Sequence, residues 1–245
     1  MNIHHKQVIG ELVAEDYRTA EVFSTYGIDF CCKGGLSIEA AAKKKGINPE
    51  ALILDLTTAT ERTDTSYADF RAWPIDLLVD YLEKKHHRYV REKTPLILQY
   101  LAKVSQVHGR AHPEVMEIEN HFYDSSRLLA VHMKREEEIL FPFIRQLAEQ
   151  EQVIESKHYS EVDNPILMMK QEHEVEGERF IKIAELSDNY TPPAEACNTY
   201  KVAYYLLKEF EADLQLHIHL ENNVLFPEAL SRVADQLTKT ILQTK

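Results

Sequence analysis

The chain is short of the residues that interrupt helices, with only 7 Gly and 9 Pro among 245. That scarcity argues against turn-dense all-β architectures and leaves local propensity leaning toward helix. There are only 3 Cys, two of them adjacent, so no disulfide framework can form and the thiols are candidates for chemistry. Long apolar runs are missing too. The longest, residues 94–102, falls far short of the roughly 18 residues a spanning helix needs. The opening Met1-Asn2-Ile3-His4-His5-Lys6 lacks the apolar segment of a secretory signal. Basic residues are outnumbered, 28 Lys and Arg against 40 Asp and Glu, and the net charge of -12 disfavours phosphate backbones and anionic membrane surfaces. These absences predict a soluble, cytoplasmic protein with neither nucleic acid nor membrane as partner. What is present, 44% apolar residues, suffices for a buried core and excludes a disordered chain.

Thr, Ser and Asp concentrate over residues 55–68 and favour caps and turns over helix interiors. The expected organisation is a small domain over residues 1–60, a linker over 61–70 and a larger domain over 71–245. In the small domain the periodic runs Val8 to Tyr26 and Ser37 to Lys45 each stop at a glycine, Gly27 and Gly46, and a third helix starts at Pro49. Beyond the linker, prolines mark four helix starts: Trp73-Pro74, His112-Pro113, Asn164-Pro165 and Thr191-Pro192-Pro193. Apolar stripes follow at three-to-four spacing, as in Val115, Ile118, Phe122, Leu129 and Met133. No period-2 strand pattern competes. The predicted fold is all-α, an up-down-up-down four-helix bundle preceded by a small helical domain.

One phrase occurs twice: His132-x3-Glu136-x3-Leu-Phe-Pro and His217-x3-Glu221-x3-Leu-Phe-Pro. Residues four apart lie on one helix face about a turn apart, so each His/Glu pair can hold a metal. A single copy reads as a solvated surface pair; the repeated tail argues otherwise. Projection at about 100° per residue puts Glu136 nearest the centre of its apolar stripe, Glu137 toward an edge and Glu138 outside. It aligns His217 with Leu206, Phe210 and Val224, and turns His219 to the other side as a surface or supporting residue. His173 shares a stripe with Ile166 and Phe180. On the first helix the periodicity through Leu78 and Leu82 favours His86 over His87. Buried carboxylates and imidazoles need compensation, which metal ions supply. One His per helix and two Glu exceed the needs of a tetrahedral zinc and suit two ions bridged by carboxylates, iron best and manganese next.

Cys31-Cys32 lacks the Cys-x2-Cys spacing of zinc or cluster sites and is read for partner contact, persulfide or nitrosyl chemistry rather than as a metal site of its own. Lys33 and the helix start near Ser37 are expected to lower a thiol pKa there. Cys197 reads as structural.

These features resemble a known family. The C-terminal part resembles a hemerythrin-like domain, and the whole chain resembles the bacterial Repair of Iron Centres proteins. The matching phrases are Tyr26-Gly-Ile-Asp-Phe-Cys31-Cys32-Lys-Gly-Gly35, Lys85-His86-His87 ahead of Pro95, Glu172-His173 and both Leu-Phe-Pro repeats. The resemblance implies His87, His132, His173 and His217 as terminal ligands and Glu136 and Glu221 as bridges of a non-haem di-iron centre, oxo- and carboxylate-bridged. It thus prefers His87 where projection prefers His86. An acidic residue found in some members one turn before the second-helix histidine is Leu128 here, which leaves Glu172 as the carboxylate for a proton or iron route. Cys31, Cys32 and Glu172 are the implied reactive residues. The implied function is repair of iron-sulfur clusters damaged by nitrosative or oxidative stress, by supplying iron to the damaged iron-sulfur proteins. The alternative is a nitric oxide or oxygen sensor, or a nitric oxide reductase, using the same site. A homodimer is left open.

Overall fold

The computed structural model describes residues 3–61, 69–149 and 157–243, and most of the expected linker lies outside them. Among the described residues no β-strand forms; the one extended pairing is an isolated bridge between Val8 and Ser37. The chain divides into two compact units, Met1–Leu78 with Ile218–Lys245, and Val79–His217. Residues 218–245 thus group with the N-terminal segment, although sequence alone groups them with the bundle.

In the first unit, α1 (Ile9–Glu15), α2 (Arg18–Thr25), α3 (Ile38–Lys45) and α4 (Pro49–Glu61) follow one another. The single helix expected over Val8 to Tyr26 is broken, because the Asp16 carboxylate accepts from the Arg18 backbone N–H at 3.0 Å and the Thr19 hydroxyl donates to the Asp16 carbonyl at 2.7 Å. Such local bonds offer the backbone an alternative to helix. Ser37 caps α3 by accepting from the Ala40 N–H, and Gly46 ends it at φ 68°, a left-handed conformation without penalty for glycine. Ile9, Leu12, Phe23, Ile38 and Leu52 form its core with Phe226, Ala229 and Val233 of the C-terminal helix.

The second unit is built on long helices. After α5 (Ile75–Tyr81) come α6 (Arg88–His108), α7 (Glu114–Arg135), α8 (Phe141–Ala148), α9 (Lys157–Leu186) and α10 (Asn198–Leu220), and α11 (Phe226–Gln243) continues into the first unit. Pro165 lies inside α9 rather than opening it, and Pro192-Pro193 precede α10, which starts at Asn198. Three successive left-handed residues, Asp188, Asn189 and Tyr190, make the turn between α9 and α10. Part of the bundle core is an aromatic triad, with Phe210 stacked on Phe180 at 5.8 Å and edge-on to Phe122 at 5.1 Å. Burying each ring contributes on the order of 2 to 3 kcal/mol.

Apart from the 3-10 turn Phe70–Ala72, three segments among the described residues depart from α geometry. Leu82–His87, Glu136–Leu140 and Glu221–Leu225 are π-helical, and each contains a predicted ligand. A π turn bonds i to i+5 and adds a residue to the turn, which advances the phase of every later side chain.

Candidate metal centre

The buried stripe of α7 changes character along its length. Val115, Ile118 and Phe122 are apolar; farther along, Ser125, His132 and Glu136 join Leu129 and Met133 on the buried face. Glu136 is fully buried. Its Oε1 lies 3.1 Å from His132 Nε2 and its Oε2 lies 3.4 Å from His87 Nε2. His132 Nε2 is in turn 3.0 Å from His173 Nε2. His132, Glu136 and His173 present ligand atoms within 4.8 Å of one another, as do His87, Glu136 and His217. One carboxylate therefore serves two groups, each oxygen facing a different imidazole. Glu221, also buried, stands one turn beyond His217 on the same continuous helix.

This donor set fits cations. Separations near 3.0 Å between neighbouring donors equal the edge of a coordination polyhedron with bonds of roughly 2.1 Å. Imidazole and carboxylate together suit iron, manganese or zinc.

Around the donors the chain repeats one arrangement. His132 Nδ1 lies 2.7 Å from Glu172 Oε2, and Arg135 donates to Glu172 Oε1 at 2.7 Å. His87 Nδ1 lies 2.7 Å from Glu137 Oε1, and Arg91 donates to both Glu137 oxygens at 2.6 Å. Each is an imidazole, then a carboxylate, then a guanidinium. Such partners fix a ligand's tautomer and raise its basicity. Hydrogen bonding from His132, followed by that from Arg135, holds the Glu172 carboxyl down at about 2. Burial opposes ionisation of Glu137, but Arg91 and His87 outweigh it and the net shift is downward. Glu137, Arg91 and Arg135 were not found by projection, which set Glu137 at the stripe's edge.

His86 and His87 are both fully buried. Only His87 joins the Glu136 group; His86 Nδ1 lies 3.0 Å from Asp213 Oδ2 and its ring stacks on His217 at 5.6 Å. The π turn explains why projection favoured His86: five residues after Leu82, rather than four, the chain returns to the same face. Burial lowers the His86 pKa, against the pull of Asp213. Leu128 is half exposed on α7.

The thiol segment lies in the first unit. Cys31 is buried, Cys32 half-buried and Cys197 exposed. The Asn222 and Asn223 amides, directly after Glu221, donate to the Cys31 carbonyl at 3.2 and 3.3 Å. Asn223 occupies a cradle that only glycine permits, since a Cβ on Gly10 would lie 2.4 Å from Asn223 Oδ1 and one on Gly34 3.0 Å from it. Contrary to the expected lowering, the Cys31 thiol is pushed well up by its bond with Cys32, by burial and by the Asp29 charge. The α3 N-terminus is meanwhile capped by Ser37 itself. His219 is buried rather than on the surface, edge-on to Phe30 at 5.7 Å and 6.1 Å from the Tyr17 ring. Burial, with Arg71 nearby, pushes its pKa down to about 3. Cys197 is not a core residue; its Sγ lies 3.3 Å from His108 Nε2.

Comparison with known families assigns residues 78–229 to the hemerythrin HHE cation-binding domain and residues 5–60 to a domain of unknown function, DUF542 or ScdA_N. Among curated proteins the chain is 31% identical over 224 residues to the iron-sulfur cluster repair protein ScdA of Staphylococcus haemolyticus, covering 91% of this chain and 98% of that protein. It is 34% identical to the iron-sulfur cluster repair protein YtfE of an Enterobacter species, covering 92% and 97%, and 32% identical to that of Yersinia pestis, covering 93% and 98%. The chain belongs to this iron-sulfur cluster repair family. Its second domain is accordingly of the cation-binding hemerythrin type. Among the described residues no helix is long and apolar enough to cross a membrane.

Proposed function

We propose that the chain repairs damaged iron-sulfur clusters and that its His/Glu cluster holds two iron ions, which it supplies to the client protein. The observation that carries this reading is the position of Glu136, one oxygen toward His132 and the other toward His87. His132 and His173 would hold one iron and His87 and His217 the other, with Glu136 and Glu221 as the carboxylates shared between them. When bound, the pair of irons supplies ferrous/ferric cycling and a store of exchangeable metal.

The chain's own groups set how firmly the cargo is held. Glu172 and Glu137 accept from the Nδ1 atoms of His132 and His87 and keep both Nε2 atoms turned inward; Arg135 and Arg91 hold those carboxylates in turn. Nitrogen and oxygen donors bind ferrous iron less tightly than a thiolate cage does, which suits delivery. Because Glu136 is shared, its displacement loosens the hold on both irons together. Glu172, in contact with His132 and only partly buried, is the carboxylate through which iron would leave. The clients are iron-sulfur proteins damaged by nitrosative or oxidative stress, and the Cys31-Cys32 segment meets them through half-buried Cys32. The relatives are named for repair rather than for ligand sensing or nitric oxide reduction, and that favours repair here.

The test is isotopic. Labelled iron loaded into this chain should be found in the rebuilt cluster of a nitric-oxide-treated dehydratase, in higher yield than from free iron at equal concentration. If cluster activity returns while the label stays on this chain, donation is wrong.

A further inference from the structure

Asp29, Cys31 and Cys32 meet at a second place, in the first unit, where each offers one ligand atom and all lie within 4.8 Å of one another. The adjacent cysteines alone carry no metal-site spacing. The fold adds the third donor. Asp29 Oδ1 lies 3.3 Å from Cys31 Sγ, and the two sulfurs are 3.7 Å apart.

We propose that Asp29, Cys31 and Cys32 form a binding site for one divalent transition cation of the ferrous or zinc class, separate from the His/Glu cluster. Two thiolates at about 2.3 Å from a tetrahedral ion stand about 3.8 Å apart, close to the 3.7 Å found. A sulfur and a carboxylate oxygen on such an ion stand roughly 3.6 Å apart, a few tenths more than the 3.3 Å here. A disulfide between the same sulfurs fits less well. Adjacent Cα atoms are about 3.8 Å apart, below the usual span of about 4.4 to 6.8 Å for bridged cysteines.

The donors are also held in place without the cation. The Cys32 backbone N–H donates to Asp29 Oδ1 at 2.9 Å, and both Asn222 and Asn223 grip the Cys31 carbonyl. Asn223 is itself seated against Gly10 and Gly34. Three protein ligands leave a fourth position open, the pattern of sites that exchange ligands rather than of closed structural sites. Cys31 anchors the site from the buried side and half-buried Cys32 opens it to solvent. On binding, each thiol gives its proton to water as its Sγ–metal bond forms, and no electron moves.

Cobalt(II) added to the reduced, full-length chain under argon tests this. Cobalt bound to thiolate gives a near-ultraviolet charge-transfer band that cobalt on histidine and carboxylate does not. The band should saturate at one thiolate-bound cobalt per chain and persist in Cys197→Ser. It should vanish in Cys31→Ser with Cys32→Ser and need roughly tenfold or more cobalt in Asp29→Asn, since even supporting groups of a metal site change affinity by 10- to 100-fold. Far-ultraviolet circular dichroism and the visible bands of cobalt at the His/Glu cluster serve as the folding control. No charge-transfer band in the unaltered chain, or an equal band in the double-serine chain, overturns the proposal. Failure of the His/Glu bands alone would bear only on the other site.

Discussion

His87 Nδ1 and Glu137 Oε1 stand 2.7 Å apart, with Arg91 donating to both oxygens of the carboxylate. The same relation recurs between His132 and Glu172 with Arg135. The paired arrangement predicts that Glu137 tunes metal affinity as Glu172 does.

Glu137→Ala should therefore weaken metal binding roughly 10- to 100-fold, measured by competition with a chromogenic chelator. Glu138→Ala is the control, since Glu138 is exposed and among the described residues pairs with Lys134 at 3.8 Å, away from the histidines. Equal behaviour of the two variants would show that the Nδ1 contact does not tune the site.

Glu136→Ala should reduce metal at both groups at once, because one carboxylate faces both. Elemental analysis is expected to give about two irons for the unaltered chain and well under one for the variant, taking two as the number that a pair of bridged groups implies. One zinc in the unaltered chain, or full iron in the variant, would sink the two-iron reading.

His87→Ala and His86→Ala should separate. The first removes a donor facing Glu136 and should abolish the visible iron absorption of that group. The second loses a ring stacked on His217 and a bond to Asp213. It should lower thermal stability, by about 1 to 3 kcal/mol for the stranded buried partner, while leaving most of the absorption. The reverse pattern would mean that His86 is the ligand.

Glu211 gives a pH prediction away from the metal. Burial raises its pKa, against the pull of Tyr190 and Gln215. A carboxyl whose folded pKa is raised contributes stability below its unfolded value, and that contribution fades as pH rises through the folded value. Glu211→Gln should thus raise the melting temperature at neutral pH and change it little at pH near 4, by differential scanning calorimetry. An equal shift at both values would rule out the ionisation as the cause.

Replacing Cys31 and Cys32 by serine should leave the His/Glu iron spectrum intact while reducing repair of a nitric-oxide-treated client. Loss of that spectrum would mean the thiol segment shapes the iron cluster.

The helical class, the glycine stops at Gly27 and Gly46 and the doubled His-x3-Glu were legible in the sequence, because they rest on local propensity and on spacing within one turn. Those signals need no knowledge of what packs where. The choice between His86 and His87 was not legible from period, since the π turn over Leu82–His87 shifts the phase and leaves no compositional mark. Glu137 was missed because its role depends on a histidine 50 residues away. His219 was left between a surface and a supporting role, because one helix's projection cannot see that Phe30 and Tyr17 cover it. Asp29 was missed for a different reason: it reaches the two cysteines through a local turn, its Oδ1 accepting from the Cys32 N–H, which residue spacing alone does not show. Sequence thus determined which residues could carry chemistry and roughly which helix face they share, through short-range backbone geometry. Tertiary structure alone decided which of them meet, because side-chain contacts between distant segments follow from packing and from local breaks in the helical period.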